Sequence, residues 1–131
     1  MEPIPKISLG TIPVREPPSE AMPVIDVHTH LYPEDVWHDP RGWGEPREER
    51  HWCDCVAPLK NPSIQGWANV DKLLRDMDAA GIEKVILLGW YWETHATCEE
   101  QNHWYAPWVQ AHPDRIGAFA ALNATSGKSA L

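Results

Sequence analysis

The apolar positions of the chain concentrate in three short runs. The run VIDV at residues 24–27 leads into two histidines, VILLG fills residues 85–89, and IGAFAAL fills residues 116–122. Runs of this length with few polar residues are typical of strands that are buried on both faces of a parallel sheet. We therefore predict strands over residues 23–30, 84–89 and 116–122.

A helical pattern separates the first two predicted strands. Apolar residues recur at i, i+3, i+4 and i+7 from Val70 to Met77, which places them on one face of a helix. Asn69 is a favourable N-cap, and Gly81 stands where a left-handed glycine commonly ends a helix. These signals predict a helix over residues 70–80.

A second helix is predicted between the second and third strands. The segment TCEE at residues 97–100 fits a capping box, in which a threonine and a glutamate satisfy backbone groups at the start of a helix. The helix should continue to about residue 112, with a kink at Pro107. The alternation of strands and helices predicts an α/β fold with a parallel sheet in the order one, two, three.

Prolines divide the chain into unequal parts. Eleven of the 13 lie within residues 1–66, so the first half is predicted to consist mainly of connecting segments. We interpret residues 1–22 as a proline-rich lead-in and residues 23–131 as one domain. Within it, residues 31–66 form an insertion far longer than the usual loop of about 4–6 residues, and loops of such length are commonly functional or disordered.

Composition and charge narrow the class of protein. The formal net charge is −8, which argues against the basic surface of a nucleic-acid-binding protein. Charged residues make up 23% of the chain, a fraction that is ordinary for a globular domain. No apolar run reaches the ~18 residues of a membrane span, and the first residues lack the apolar core of a signal peptide. We expect a cytoplasmic protein with no nucleic-acid or membrane partner.

Two histidines close the first predicted strand. His28 and His30 are separated by one residue, and because side chains alternate along a strand, both imidazoles and Asp26 should point to one face. Neutral imidazole nitrogens suit zinc and related divalent ions. The spacing predicts half of a metal site, with a divalent metal, zinc being the expected one, as cofactor. Asp26 is expected to be a structural carboxylate that supports the ligands, and not itself a ligand of the ion.

A second candidate metal site lies in the insertion. The segment HWCDC at residues 51–55 carries three potential ligands. A structural zinc site normally uses two Cys-x₂₋₄-Cys pairs, whereas the remaining cysteine, Cys98, is distant in sequence. Three cysteines are also an odd number, which does not fit a disulfide framework. We interpret the segment as a polar loop with free thiols and keep the local metal site as the alternative.

Three segments of the chain resemble the amidohydrolase superfamily. They are IDVHTH at residues 25–30, MDAAGIEKVILL at residues 77–88 and HPDRIGAF at residues 112–119. In order and spacing they are similar, more narrowly, to the amidohydrolase-related family that includes the aminocarboxymuconate semialdehyde decarboxylase-like enzymes, over residues 23–131. This resemblance implies a (β/α)₈ TIM barrel in which residues 31–66 leave the active-site face as a lid or substrate wall.

The resemblance also implies a metal site larger than this chain supplies. A TIM barrel typically needs about 250 residues, and the chain has 131. In the family, further ligands come from histidines near the fifth and sixth strands and from an aspartate near the eighth, which is also the general base. The chain is therefore expected to be the N-terminal portion of a longer enzyme, about strands one to three with two helices. Alone, it is expected to be inactive and to contain no catalytic base.

Tryptophan is over-represented, with eight residues against one phenylalanine. Trp90 and Trp92 follow the second predicted strand, and Tyr32 follows the histidine pair. We interpret these three as candidate substrate contacts, an aromatic wall for a planar ring or a carboxylic acid. The alternative is that the indoles of the chain, those of the insertion among them, cover the insertion's own small core.

The resemblance implies chemistry by a metal-activated water. Such an enzyme hydrolyses an amide or lactone, or decarboxylates an aromatic or unsaturated carboxylic acid, and the sequence leaves the two reactions open. A non-catalytic protein that acts only as an interaction or dimerising piece is the alternative from another class. Because a partial barrel exposes apolar residues on its edge strands, we also expect homo-oligomers.

Overall fold

A three-stranded parallel sheet organises the chain. The structure, a computed structural model, describes residues 22–63 and 65–130. The strands are β1 (Ile25–Thr29), β2 (Lys84–Leu87) and β3 (Ile116–Ala118), and β2 lies between the other two. Both pairings are parallel. The predicted α/β class and strand order are therefore confirmed.

The insertion after β1 is largely helical. Three short helices follow one another, α1 (Glu34–His38), α2 (Pro40–Gly44) and α3 (Arg50–Val56), with a 3-10 turn at Glu45–Arg47. Pro40 is the first residue of α2, a position where the N–H that proline lacks is not needed. The prediction of a long loop is therefore wrong between residues 34 and 56, where prolines begin helices, whereas the described residues from 57 to 66 contain no helix or strand.

The helix between β1 and β2 has the predicted limits. This helix, α4, spans Val70–Ala80. The side chain of Asn69 accepts the N–H of Lys72 at 2.9 Å and so caps the first turn. Gly81 ends the helix in the left-handed region, at a φ of 68°, which a residue without Cβ adopts at little cost.

The helix between β2 and β3 begins earlier than predicted. This helix, α5, spans His95–Ala111 and includes Pro107. Its N-cap is Thr94, whose hydroxyl accepts the N–H of Thr97 at 3.3 Å. The capping box predicted at residues 97–100 is wrong, because Thr97 lies buried within the first turn.

The predicted strands run past the observed ones, and side chains of α5 bind the backbone that follows β2 and β3. After β2, the N–H of Trp90 donates to the side-chain oxygen of Gln101 at 3.0 Å. After β3, Ala121 exchanges two hydrogen bonds with the side-chain amide of Asn102, at 2.7 and 3.0 Å. Backbone bonds to the neighbouring strand continue for one residue, from Leu88 N–H to the Thr29 oxygen and from Phe119 N–H to the Leu87 oxygen. Beyond these residues the α5 side chains take over as partners.

Two buried clusters hold these elements together. The aliphatic cluster packs the sheet against α4 and α5 and consists of Leu31, Met77, Val85, Leu87, Tyr105 and Ile116. The aromatic cluster joins the insertion to the loop after β2 and consists of Tyr32, Val36, Trp43, Trp52, Cys53, Val56, Trp92, Cys98 and Ala121. Leu31 and Tyr32 are adjacent in sequence, so the two clusters diverge from the carboxyl end of β1.

Apolar side chains are exposed at both sheet edges. Ile25 and Val27 of β1 are 50% and 63% exposed, and Phe119 and Leu122, which follow β3, are also exposed. The expectation that the edge strands present apolar residues to solvent is confirmed for β1, whereas at the other edge the exposed residues follow β3 and Ile116 within it is fully buried.

The longest described helix is α5, with 17 residues. Across residues 22–63 and 65–130, no helix has both the length and the apolar character needed to cross a membrane. The proline-rich lead-in predicted at residues 1–22 lies outside the described residues, apart from Met22.

Candidate functional site

The two histidines predicted as metal ligands lie together at the carboxyl end of β1. His28 belongs to the strand and His30 follows its last residue. Their ring centroids are 5.2 Å apart and the rings meet edge to face, at 80°. The two imidazoles thus lie next to each other, as predicted from their one-residue spacing.

His30 is held in one tautomer by a backbone carbonyl. Its Nδ1 donates to the Leu88 oxygen at 3.0 Å, and since a carbonyl oxygen only accepts, Nδ1 carries the proton and the lone pair lies on Nε2. Burial lowers the pKa of His30, as does the neighbouring charge of His28, while the bond to Leu88 opposes them. The lowered pKa favours the neutral ring, which is the form that binds metals.

Asp26 contacts the backbone beside the histidine rings. Its Oδ1 accepts the N–H of His28 at 2.9 Å. The register with β2 shifts between Asp26 and Thr29, because Asp26 pairs with Val85 and Thr29 pairs with Leu87. This bulge interrupts the alternation of side chains that was predicted over residues 26–30. The position of Asp26 relative to the two rings therefore cannot be taken from strand alternation alone. Bulges of this kind commonly re-aim side chains next to active sites.

One of the predicted aromatic residues, Trp90, lies beside the ring of His30. The indole of Trp90 is half-buried and lies 5.7 Å from the His30 ring, at 62°. It also stacks on the ring of Tyr91, with centroids 4.7 Å apart. Trp90 and Tyr91 form an aromatic surface next to His30.

The other two predicted aromatic residues are buried in the aromatic cluster. Trp92 is 4% exposed and Tyr32 is 3% exposed. The Tyr32 hydroxyl accepts the Nε1–H of Trp52 at 3.1 Å, and burial raises the pKa of Tyr32 to about 12. Trp92 thus lies in the insertion's own core, which is the alternative given above for the indoles, and the phenol ring of Tyr32 belongs to the same cluster.

Sequence reasoning missed Gln101, which holds the backbone of Trp90 by a hydrogen bond and so supports the aromatic surface. Its side chain is fully buried on α5, and its oxygen accepts the N–H of Trp90 at 3.0 Å and the Nε1–H of Trp92 at 2.6 Å. A signal was present, because Gln101 shares a helical stripe with the buried residues Cys98 and Tyr105. A polar residue on such a stripe indicates a buried hydrogen-bonding role.

Glu49 was also missed, and it ties the insertion to the loop after β2. It is fully buried, and its carboxylate accepts three hydrogen bonds, from the N–H of Glu93 at 2.7 Å and from the N–H and hydroxyl of Thr94 at 3.0 Å each. The negative charge of this carboxylate lies at the N-terminus of α5, beside the N-cap Thr94, and so interacts favourably with the helix dipole. No local pattern distinguishes it from its exposed neighbour Glu48.

The cysteine segment lies on α3 and not in a loop. Cys53 is buried, and burial raises the pKa of its thiol. Cys55 is only partly buried, and its sulfur lies 3.6 Å from Nε2 of His51. Within residues 22–63 and 65–130, no three or more His, Cys, Asp or Glu side chains are grouped closely enough to hold a metal ion.

Comparison with known proteins identifies the family. A family model described as Amidohydrolase matches residues 25–131, a span that includes the histidine pair, the sheet and both long helices. The chain therefore belongs to the amidohydrolase family. Searches of curated proteins and of solved structures gave no match to the chain.

Proposed function

We propose that this chain supplies the first two metal ligands, His28 and His30, of a metal-dependent amidohydrolase. The observation that carries the proposal is the hydrogen bond from His30 Nδ1 to the Leu88 carbonyl. Metal-binding histidines usually donate their second ring nitrogen in this way, which orients the ring and fixes its tautomer. The 5.2 Å separation of the two rings supports binding of one ion by both.

A divalent ion suits these donors. Imidazole nitrogens are common zinc ligands, and catalytic zinc sites combine three protein ligands with one open position. When bound, such an ion lowers the pKa of a coordinated water towards neutrality and polarises a carbonyl oxygen. His28 and His30 provide two of the three ligands, so we expect a further donor and the general base to come from outside residues 22–63 and 65–130.

Trp90 would form one wall of the substrate site. A planar ring or a carboxylic acid held next to His30 would lie against an indole that is itself stacked on Tyr91. This environment supports hydrolysis of an amide or lactone that carries a ring, or decarboxylation of an aromatic or unsaturated acid by an aminocarboxymuconate semialdehyde decarboxylase-like enzyme. Tyr32 and Trp92, also predicted as contacts, would support this wall from the aromatic cluster.

A second candidate function rests on the exposed apolar residues of β1. Ile25 and Val27 lie on an edge strand, and unpaired apolar edges favour association. The chain would then act as an interaction or dimerising piece without catalysis. Concentration-dependent association, measured by sedimentation equilibrium and unaccompanied by any metal-dependent change at the histidines, would favour this function.

The proposed function is tested by ¹⁵N NMR of the histidine rings during a zinc titration. We expect zinc to shift the Nε2 signals of His28 and His30, with an affinity well below that of a closed four-ligand site. His38 is the matched control, because its Nδ1 also contacts a backbone carbonyl, that of Glu34 at 2.6 Å, on an exposed helix. A titration that leaves the His30 signal unshifted would contradict the proposal.

A further inference from the structure

A second group of donor atoms lies near Trp90, around His51 of α3. His51 and Cys55 lie one helical turn apart on α3, with the Cys55 sulfur 3.6 Å from His51 Nε2. The Tyr91 hydroxyl, from the loop after β2, lies 2.9 Å from the same nitrogen. A thiol, an imidazole and a phenol from two separate segments therefore meet at one point.

The distances match those between ligands of one metal ion. Zn–S bonds of about 2.3 Å and Zn–N bonds of about 2.0–2.1 Å place sulfur and nitrogen roughly 3.5 Å apart at a tetrahedral angle. The observed separation of Cys55 and His51 is 3.6 Å. Thiolate and imidazole together favour zinc and other thiophilic ions over magnesium or calcium.

The group is also accessible to an ion from solvent. His51 and Tyr91 are exposed and Cys55 is half-buried, whereas Cys53 and Cys98 are buried and burial raises the pKa of both thiols. The backbone N–H of His51 donates to the Glu93 carboxylate at 2.7 Å. This bond already holds the start of α3 beside the loop that carries Tyr91.

We propose that His51, Cys55 and Tyr91 form a metal site for a thiophilic divalent ion such as zinc, which clasps α3 to the loop after β2. Binding would release the thiol proton of Cys55 to solvent and would replace the hydrogen bond between Tyr91 and His51 by bonds to the ion. Three ligands leave the fourth position to water, so the affinity is below that of a closed structural site.

This clasp would act on the aromatic surface beside the histidine pair. The ring of Trp90 lies 6.3 Å from that of His51 and 5.7 Å from that of His30, and it stacks on Tyr91. The ion would therefore restrict Trp90 without binding His28 or His30. The site is independent of the proposed function and requires neither the histidine pair nor catalysis.

Cobalt titration of the full chain tests the clasp. Bound to Cys55, Co²⁺ is expected to give a sulfur-to-cobalt charge-transfer absorption that zinc abolishes by displacement. We expect Cys55→Ser to remove this absorption, His51→Gln to weaken cobalt affinity at least tenfold, and Tyr91→Phe to weaken it a few-fold. Cys53→Ala is the matched control and should retain the full signal.

Two outcomes would overturn the proposal. One is the absence of a charge-transfer band in the unaltered chain, and the other is a band that persists in Cys55→Ser. Far-ultraviolet circular dichroism verifies that each variant is folded, and the exposed position of Tyr91 makes Tyr91→Phe the variant that least disturbs folding. The double variant His28→Ala/His30→Ala should retain the band, which separates this site from the proposed catalytic one.

Discussion

The aliphatic cluster and the aromatic cluster are built in different ways. In the aliphatic cluster, burial follows the regular spacing of the elements, as for Val85 and Leu87 on β2. In the aromatic cluster, rings from separate segments meet at edge-to-face or tilted angles. The ring of Trp52 lies 5.3, 5.5 and 5.6 Å from those of Trp43, Trp92 and Tyr32.

The two clusters also differ in their polar contacts. The aromatic cluster is bordered by buried polar residues that fasten its segments, with Glu49 and Gln101 each accepting hydrogen bonds from the loop after β2. A buried acceptor that loses its donors costs the full penalty of its desolvation. We therefore expect the aromatic half, which carries Trp90, to respond more strongly to single substitutions than the sheet half.

The largest effect is expected from removal of the central indole. Trp52→Ala deletes a fully buried ring and the hydrogen bond to Tyr32, which should lower the free energy of unfolding by about 3–5 kcal/mol. Leu87→Ala, equally buried in the aliphatic cluster, removes fewer ring contacts and should cost less, within the range of about 2–5 kcal/mol for such truncations. Urea unfolding measures both, and a larger loss for Leu87→Ala would reverse the comparison.

The surface control for these two substitutions is Leu59→Ala. Leu59 is 82% exposed, and substitutions at such positions usually change stability by less than about 0.5 kcal/mol.

Near-ultraviolet circular dichroism, which reports the packing of aromatic rings, should fall in Trp52→Ala and stay unchanged in Leu87→Ala.

An intermediate effect is expected from Glu49→Gln. The amide retains one acceptor oxygen but places an NH₂ group against a backbone donor, Glu93 N–H or Thr94 N–H. The expected loss in the free energy of unfolding is about 1.5–3 kcal/mol. Glu48→Gln, at the exposed neighbouring position, is the matched control and should be nearly silent. Equal losses in the two variants would show that the buried carboxylate does not fasten the insertion.

The smallest effects are expected from the two helix caps. Asn69→Ala removes the cap of α4 on the aliphatic side and should cost about 1 kcal/mol. Thr94→Ala removes the cap of α5 together with a hydroxyl bond to Glu49, so its cost should lie nearer 2 kcal/mol. Thermal unfolding of both variants measures the difference, and Thr94→Ser should restore most of the loss. A greater cost for Asn69→Ala would contradict this ordering.

Local signals predicted the sheet half well. The limits of α4, its Asn69 cap and the Gly81 terminus agree with the structure, because each depends on residues only three to four positions apart. The strand order was also predicted, since successive strands with helical connections usually neighbour one another. The approach of His28 and His30 was predicted from their spacing, although the strand ends before His30 and contains a bulge.

The features that sequence reasoning missed depend on distant residues. Thr94 caps α5 in place of Thr97 because Glu49, 45 positions earlier, binds its N–H and hydroxyl. The bulge in β1 is set by the register with β2. Gln101 and Glu49 have the sequence appearance of surface residues until the fold buries them.

The sequence by itself determined the alternation of strands and helices, the histidine pair and the amidohydrolase family. These features depend on local periodicity and on residue types at fixed spacing, which a linear chain displays directly. Only the tertiary structure decided that the insertion is helical, that Trp90 faces His30 while Trp92 is buried, and that His51, Cys55 and Tyr91 meet. The physical reason is that burial and hydrogen-bond partners in these places are supplied by segments distant along the chain, whose approach no local pattern encodes.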